Sequence, residues 1–321
     1  MKSVSDSVVL ETKSLARSKK KTARLRALKK YRSLYVIMGV IVAYFIIFNY
    51  VPIFWGTVMS FQDFKIGNTI ANAPWVGWEN YKTIFTDPDM QKLIVNTLLL
   101  SIYRLLWGFW PSIVLAIFIF DLASAKYKKL SQTIVYVPYF FSWVIVYGIV
   151  YAFFSGNGFI NSMLSNVHIG KIDFLMSSSC FRPLLVGSQI WKGLGWGTIL
   201  YFAALTGVNP ELYEACKIDG AGPIRRTLAV TLPAMMPVII FSLIMALGNI
   251  LNNDFEQVLL FYNSSVYDVG DIIDTWVYRV GLGQMRYSLG AAVGILKSAV
   301  GFVLIIGSNY LSRKLVGRGM W

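Results

Sequence analysis

Six apolar runs, each of roughly the 20 residues that a bilayer crossing requires, fix what this chain can become. They lie near 34–59, 93–120, 131–154, 183–206, 232–252 and 289–311. Hydrophobic residues make up 56% of the sequence and charged residues 14%. Soluble domains carry about 25% charged residues, and no single soluble core could hide so much apolar surface. In hydrocarbon each segment must satisfy its own backbone polar groups, which a helix does. The reading is an all-α polytopic membrane protein with six transmembrane helices. Pro52, Pro111 and Pro138 fall in or near spans, where a kink is tolerated if neighbours satisfy the freed backbone. The last span carries Gly290-Ala291-Ala292-Val293-Gly294, a small-xxx-small face suited to close helix contact.

The longest polar interruption in the second half runs from Asn209 to Pro237. Asn209 is a helix cap, and Pro210 at the first helical position loses only an N–H that has no intrahelical partner. Glu211 stands at the favourable end of the helix dipole. The helix is expected to reach about Ile218, to break at Asp219-Gly220-Ala221-Gly222, and to restart at Pro223. Leu232-Pro233 is expected to close the segment. Two short helices joined by a glycine turn, set between two spans, form a rigid element ready to fill a groove on a partner.

Basic residues orient the chain. Lys126, Lys128 and Lys129 mark the loop 121–130, and Lys217, Arg225 and Arg226 the loop 207–231. Both ends are basic too, through the run from Lys19 to Arg32 and through Arg313, Lys314 and Arg318. The intervening loops 60–92, 155–182 and 253–288 are poorer in Lys and Arg. The positive-inside rule then puts both termini in the cytoplasm, together with Glu214. Residues 1–33 read as a basic cytoplasmic segment near anionic lipid. No nucleic-acid module accompanies that run, and no small-residue cleavage site follows Leu34–Phe48. Cys180 and Cys216 fall on opposite sides of the membrane, so no disulfide is expected between them. His168 stands without companion ligands, and no metal site or catalytic constellation is expected.

Glu214-Ala215-Cys216, then Asp219-Gly220-Ala221, then Leu232-Pro233 and Pro237 resemble the EAA loop of permease subunits of binding-protein-dependent ABC importers. Cys216 stands where that pattern usually has alanine. Trp75-Val76-Gly77-Trp78-Glu79-Asn80-Tyr81, Asn96-Thr97, Gly158-Phe159-Ile160-Asn161 and Trp191-Lys192 extend the likeness to sugar importers. Asn253-Asp254-Phe255-Glu256-Gln257 and Asp274-Thr275-Trp276 resemble the branch handling oligosaccharides or polysaccharide fragments, alginate-type importers included. The resemblance implies the type I ABC importer permease fold over 34–321, with the cytoplasmic coupling loop at 209–237. It implies a permease forming half of the pore of an ATP-driven carbohydrate importer in the bacterial cytoplasmic membrane. Its partners would be a second permease subunit, two ATPase subunits and an extracytoplasmic solute-binding protein. Glu214, Ala215, Cys216, Asp219, Gly220, Ala221 and Gly222 would couple to the ATPase, with Asp219 capping the turn. The sequence has no G-x-x-x-x-G-K-[ST] loop: Gly290, Gly294 and Lys297-Ser298 are misspaced and lie in an apolar span. ATP and Mg²⁺ would therefore sit on the partner ATPases. A secondary carrier or a channel is the alternative, but it leaves the 209–237 element without a purpose.

Sugars are held by aromatic faces and planar polar groups. Tyr147, Tyr151, Trp191, Trp196, Asn249, Asn252, Asn253 and Asp254 have that chemistry and are the candidates for the substrate path. Interface belts of Trp and Tyr compete for the aromatics. Arg104, Lys192 and Lys297 are costly within a span unless paired or facing water; the two lysines could snorkel towards an end. Arg104 suits either an anionic substrate or a partner subunit. In the loop 253–288, Asp271 and Asp274 are the candidates for docking a binding protein.

Overall fold

The computed structural model describes residues 30–316. The basic run from Lys19 to Lys29 lies outside the described residues, as does Arg318. The chain divides into two units, residues 1–58 and residues 59–321.

In the first unit, α1 (Arg32–Ser60, its last residues belonging to the second) is apolar all round, with Leu34, Val40, Phe48 and Phe54 exposed. Such a surface belongs in lipid or against protein. It widens to a π-helical turn over Ile46–Tyr50, just before Pro52. A proline ring collides with the carbonyl four residues back, here that of Phe48, and an extra residue in the turn relieves the collision.

The second unit is built from helices. Among the described residues the one β feature is an isolated bridge between Gln62 and Trp75. The longer elements in order are α2 (Glu79–Thr86), α3 (Pro88–Asp121), α4 (Ala125–Tyr136), α5 (Trp143–Phe154), α6 (Phe159–Asn166) and α7 (Ser178–Thr206). There follow α8 (Pro210–Ile218), α9 (Pro223–Gly248), α10 (Phe255–Phe261), two single turns α11 (Tyr267–Gly270) and α12 (Ile273–Trp276), and α13 (Tyr287–Val316). Asp87 caps α3 by accepting from the amide of Asp89 at 2.9 Å, with Pro88 next to it at the first helical position.

Among the described residues five helices are long and apolar enough to cross a membrane: α1, α3, the stretch Trp143–Asn166, α9 and α13, the last over Tyr287–Lys314. The expected fourth span is present as α7, whose 29 residues cover about 43 Å at 1.5 Å per residue. Arg182 and Lys192, with several glycines and serines, keep it from the apolarity of the others. The expected third span, 131–154, is broken. Pro138 lies in a 3₁₀ turn, Val137–Phe140, and a new helix starts behind Ser142, whose hydroxyl accepts from the Ile145 amide at 3.4 Å. Pro138 has no N–H to offer the carbonyl four residues back, so the α-helical ladder of α4 ends there, although Val137 before it keeps helical angles.

The largest helix–helix interface joins α3 to α7. Three buried clusters run through the unit. Leu100, Val146, Phe181, Leu185 and Val258 form one. Ile84, Met90, Trp276 and Ala292 form the second, and Ile113, Ala116, Leu205 and Met235 the third. Gly195 of α7 meets α4 so closely that an added Cβ would sit 2.1 Å from the Val135 carbonyl oxygen.

The segment 253–288, expected to be a loop, is instead packed into the bundle. Gln257, Val258, Val266, Ile272 and Thr275 are wholly buried. Irregular backbone survives in such a place only if protein groups satisfy it. Asn96 donates to the carbonyls of Asp268 and Asp271 at 3.0 and 3.1 Å, Arg182 donates to that of Val269, and Thr97 accepts from the Ile273 amide. Gly290 of the small-residue stripe packs within the chain, an added Cβ lying 3.1 Å from the Gly281 Cα, whereas Gly294 meets nothing within 4 Å.

Candidate functional site

Two features stand apart from structural packing: the element around α8, and a cavity among α3, α7 and the end of α9.

The first is built largely as its sequence dictates. Asn209 Oδ1 accepts from the Glu211 amide at 3.0 Å, with Pro210 beside it. At the other end Gly220 takes φ +70°, the Ala221 amide donates to the Cys216 carbonyl and the Gly220 amide to that of Lys217. This pair of bonds is a Schellman closure, which needs a left-handed residue at the position of Gly220. The Asp219 side chain, expected to cap the turn, makes no hydrogen bond among the described residues; its amide continues the helix, donating to the Ala215 carbonyl. Glu214, Ala215 and Gly222 are exposed, and Cys216 and Ala221 partly so. The Glu214 carboxylate is likewise without an internal partner among the described residues, which leaves it for a contact outside the chain. Ile218 and Ile224, flanking the turn, are 86% and 78% exposed.

The second short helix does not stop at Leu232-Pro233. It continues through a π-helical stretch, Thr227–Thr231, into α9, where the wider turn accommodates Pro233 as it does Pro52. Tyr213 ties α8 to the helices behind it. Its ring centroid lies 6.0 Å from that of Phe120 and 5.9 Å from the Arg226 guanidinium, and its hydroxyl is 3.4 Å from that of Thr231. Arg226 in turn pairs with Asp121 at 2.9 Å. A displacement of α8 therefore reaches α3 and α9 together. A Cβ at Gly220 would meet nothing within 4 Å, but leucine there would occupy the left-handed region. The expected cost is about 1 kcal/mol of local strain, which frays the turn without unfolding the chain. ATP-driven uptake should fall several-fold while membrane insertion is kept, and full uptake by Gly220→Leu would show that the turn does not position α8.

The cavity, about 970 Å³, is lined by Trp196, Asn249, Asn252, Asn253 and Asp254 among the expected path residues. Tyr147, Tyr151 and Trp191 do not line it. Tyr147 packs edge-on against Phe261 in the core, Tyr151 is exposed beside it, and Trp191 lies by Phe141. Tyr147 and Tyr151 stand one and two turns beyond Trp143, which does line the cavity, so their position along α5 takes them away from it. Asn253 is buried and structural, donating to the Thr97 carbonyl and to Ser101 Oγ. Asp254, at φ +37°, holds a left-handed conformation at the break after α9. A smaller cavity of about 490 Å³ shares Asn252 and Asp254 with the first.

The sequence did not single out Gln257 or Tyr139. Gln257 accepts a hydrogen bond from Arg104 Nη2 and donates to the Leu185 carbonyl and Ser188 Oγ at 2.8 and 2.9 Å. Tyr139 stacks on Trp196 with ring centroids 4.4 Å apart, and its carbonyl accepts from Lys192 Nζ at 2.8 Å. The motif Asn253–Gln257 carried the one signal that could have pointed to Gln257.

The two expected docking carboxylates are not free. Asp271 is buried and accepts from both Arg279 amino groups and from Thr275 Oγ1. Those hydrogen bonds outweigh desolvation and hold the Arg279 guanidinium above its ordinary pKa. Asp274 is clasped by Lys297 at 2.6 and 2.7 Å. Lys297 is thus paired within the chain and does not snorkel to the end of α13. Carboxylates committed to internal cations cannot offer themselves to a partner, which corrects the docking assignment.

Residues 122–317 match the family described as binding-protein-dependent transport system inner membrane component. The chain is 42% identical over 298 residues to the protein LplB of Bacillus subtilis (strain 168), covering 92% of this chain and 93% of that one. It is 40% identical over 294 residues to the polygalacturonan/rhamnogalacturonan transport system permease protein YteP of the same strain, covering 91% of each. Among solved structures it is similar to a chain of a bacterial alginate ABC transporter in complex with an alginate pentasaccharide-bound periplasmic protein. There the TM-score is 0.85 at 35% identity, over 92% of this chain and 99% of that one.

Proposed function

Since the chain belongs to the family of binding-protein-dependent transport system inner membrane components, we propose that it forms half of the pore of an ATP-driven importer for an oligosaccharide or polysaccharide fragment. It is a multi-pass membrane protein and a transport component. The observation that carries the finer reading is the element α8–Gly220–Ile224. A rigid, capped helix ends in two isoleucines open to solvent, and its back is fastened through Tyr213, Arg226 and Asp121 to two long helices. That is the geometry of a helix laid into a partner's groove and built to transmit the partner's movement.

In this reading the groove belongs to a separate ATPase subunit, which binds ATP and Mg²⁺. Closure of two such subunits moves α8, and α3 and α9 follow it. The cavity borders both of those helices, so the same motion reshapes the cavity lining. A second permease subunit completes the pore, and a binding protein delivers the sugar from outside. The sugar class is supported by the relatives that import pectin-type polymers and alginate.

The reading requires α8 and both termini in the cytoplasm. Cys180 lies in the first turn of α7 and Cys216 in α8, which follows its other end, and both are partly exposed. In intact cells a membrane-impermeant maleimide is expected to label Cys180 at once, and Cys216 after permeabilisation alone, with each cysteine tested singly. The opposite pattern would place α8 outside, away from ATP, and would end the coupling argument.

A further inference from the structure

We propose that the cavity among α3, α7 and α9 takes a uronate-containing saccharide, with Arg104 and Lys192 receiving its carboxylate. This rests on the importer reading above and names the charge class of its cargo.

Arg104 lies halfway along α3 and is 8% exposed, yet of its five N–H donors the chain engages few. Nη2 donates to Gln257, while Nε and Nη1 have no hydrogen-bond partner. The nearest carboxylate oxygen, Asp254 Oδ2, stands 4.0 Å from Nη1 on a side chain that is 46% exposed. A cation so buried and so little compensated is costly, and intramembrane arginines are kept where they face a partner or a watery path. Lys192 brings a second ammonium to the same lining, with the Tyr139 carbonyl taking one of its three donors.

Two cations therefore line the cavity against one carboxylate, Asp254. The missing charge is negative. Its shape follows from the donor, because a guanidinium fork matches a planar carboxylate with two parallel hydrogen bonds. The rest of the wall is suited to sugar. Trp196, stacked on Tyr139, offers an aromatic face to a C–H surface, and the exposed amides of Asn252 and of Asn249, whose nitrogen also donates to the Met245 carbonyl, suit hydroxyls. The volume of about 970 Å³ falls within the roughly 300–1,000 Å³ of small-molecule sites. A uronate unit combines the carboxylate and the apolar ring face in one residue.

The experiment uses the complete transporter in proteoliposomes with its ATPases and binding protein. Uptake is followed for labelled short digests of pectin and alginate, before and after chemical reduction of their carboxyl groups, and for neutral arabinan and chitin digests. Acidic digests are expected to enter about tenfold faster than their reduced forms, the scale of one charge-assisted hydrogen bond. Arg104→Gln and Lys192→Gln should each erase most of that preference, and Arg104→Lys should keep part of it. The binding protein is the same throughout, so a changed preference belongs to this chain. If Arg104→Gln fails to insert, Lys192→Gln decides. An unchanged preference in the variants, or equal entry of reduced and acidic digests in the parent, would overturn the proposal while leaving the importer reading intact. Entry of none of the digests would overturn both.

Discussion

Replacing Ile218 and Ile224 together by glutamate is expected to separate this chain from its ATPase and to abolish uptake. Both side chains are almost fully exposed, so the change costs the folded chain little, within about 0.5 kcal/mol for surface positions. In a groove the same two residues act as apolar anchors. Burying a carboxylate there without a partner is far worse than losing the methylenes. If each anchor is worth about 2 kcal/mol, a common hot-spot value, the pair together weakens association on the order of 100- to 1,000-fold. The measurement is co-purification of the ATPase subunit, with insertion checked by the labelling of Cys180. Retention of the ATPase at parental stoichiometry by the double variant would show that the turn beside Gly220 is not the contact.

Valine at Gly195 should prevent the folded chain from accumulating. An added Cβ there would lie 2.1 Å from the Val135 carbonyl oxygen, 2.6 Å from its carbon and 2.9 Å from the Tyr136 Cα. All three atoms are backbone, so no side-chain rotation relieves the clash, and α7 must part from α4. Overpacking costs typically 1–3 kcal/mol where side chains can yield, and about 3 kcal/mol or more is expected here. Gly187, on the same helix, meets nothing within 4 Å and supplies the control. Gly187→Ala should match the parent, or gain slightly from helix propensity. Thermal unfolding in detergent, read by size-exclusion chromatography, checks both. A Gly195→Val variant with parental yield and midpoint would mean that the helices separate there at little cost.

Much of the architecture was legible because its determinants are local. The length of an apolar run decides whether it can span, so helices stand at all six segments, although Pro138 breaks the third and Arg182 and Lys192 keep α7 from the apolarity of the other spans. Asn209, Pro210 and Gly220 mark the ends of α8 through bonds to residues no more than five positions away. Such bonds are written in neighbouring residue types. Even here locality misled: the Asp219 side chain makes no cap, and Pro233 looked like a stop, but a π-helical turn absorbs it and α9 runs on.

What the sequence could not reveal are the partners brought together across the fold. Arg104 and Gln257 are 153 positions apart, and Asn96 reaches backbone 172 and 175 positions away. Asp271 and Asp274 looked like solvent charges in a polar stretch, yet Arg279 and Lys297 neutralise them, and that pairing lets the segment after α9 enter the bundle. Likewise the aromatic residues of α5 and α7 share one chemistry, but packing placed Trp196 at the cavity, Tyr147 against Phe261 and Trp191 beside Phe141. The sequence by itself determined which segments are apolar enough to span and where the element around α8 begins and ends, because length, caps and turns depend on adjacent residues. Tertiary structure alone decided which charges are paired and which remain open to a ligand, because that depends on what packing places within about 4 Å, the range over which ion pairs and hydrogen bonds act.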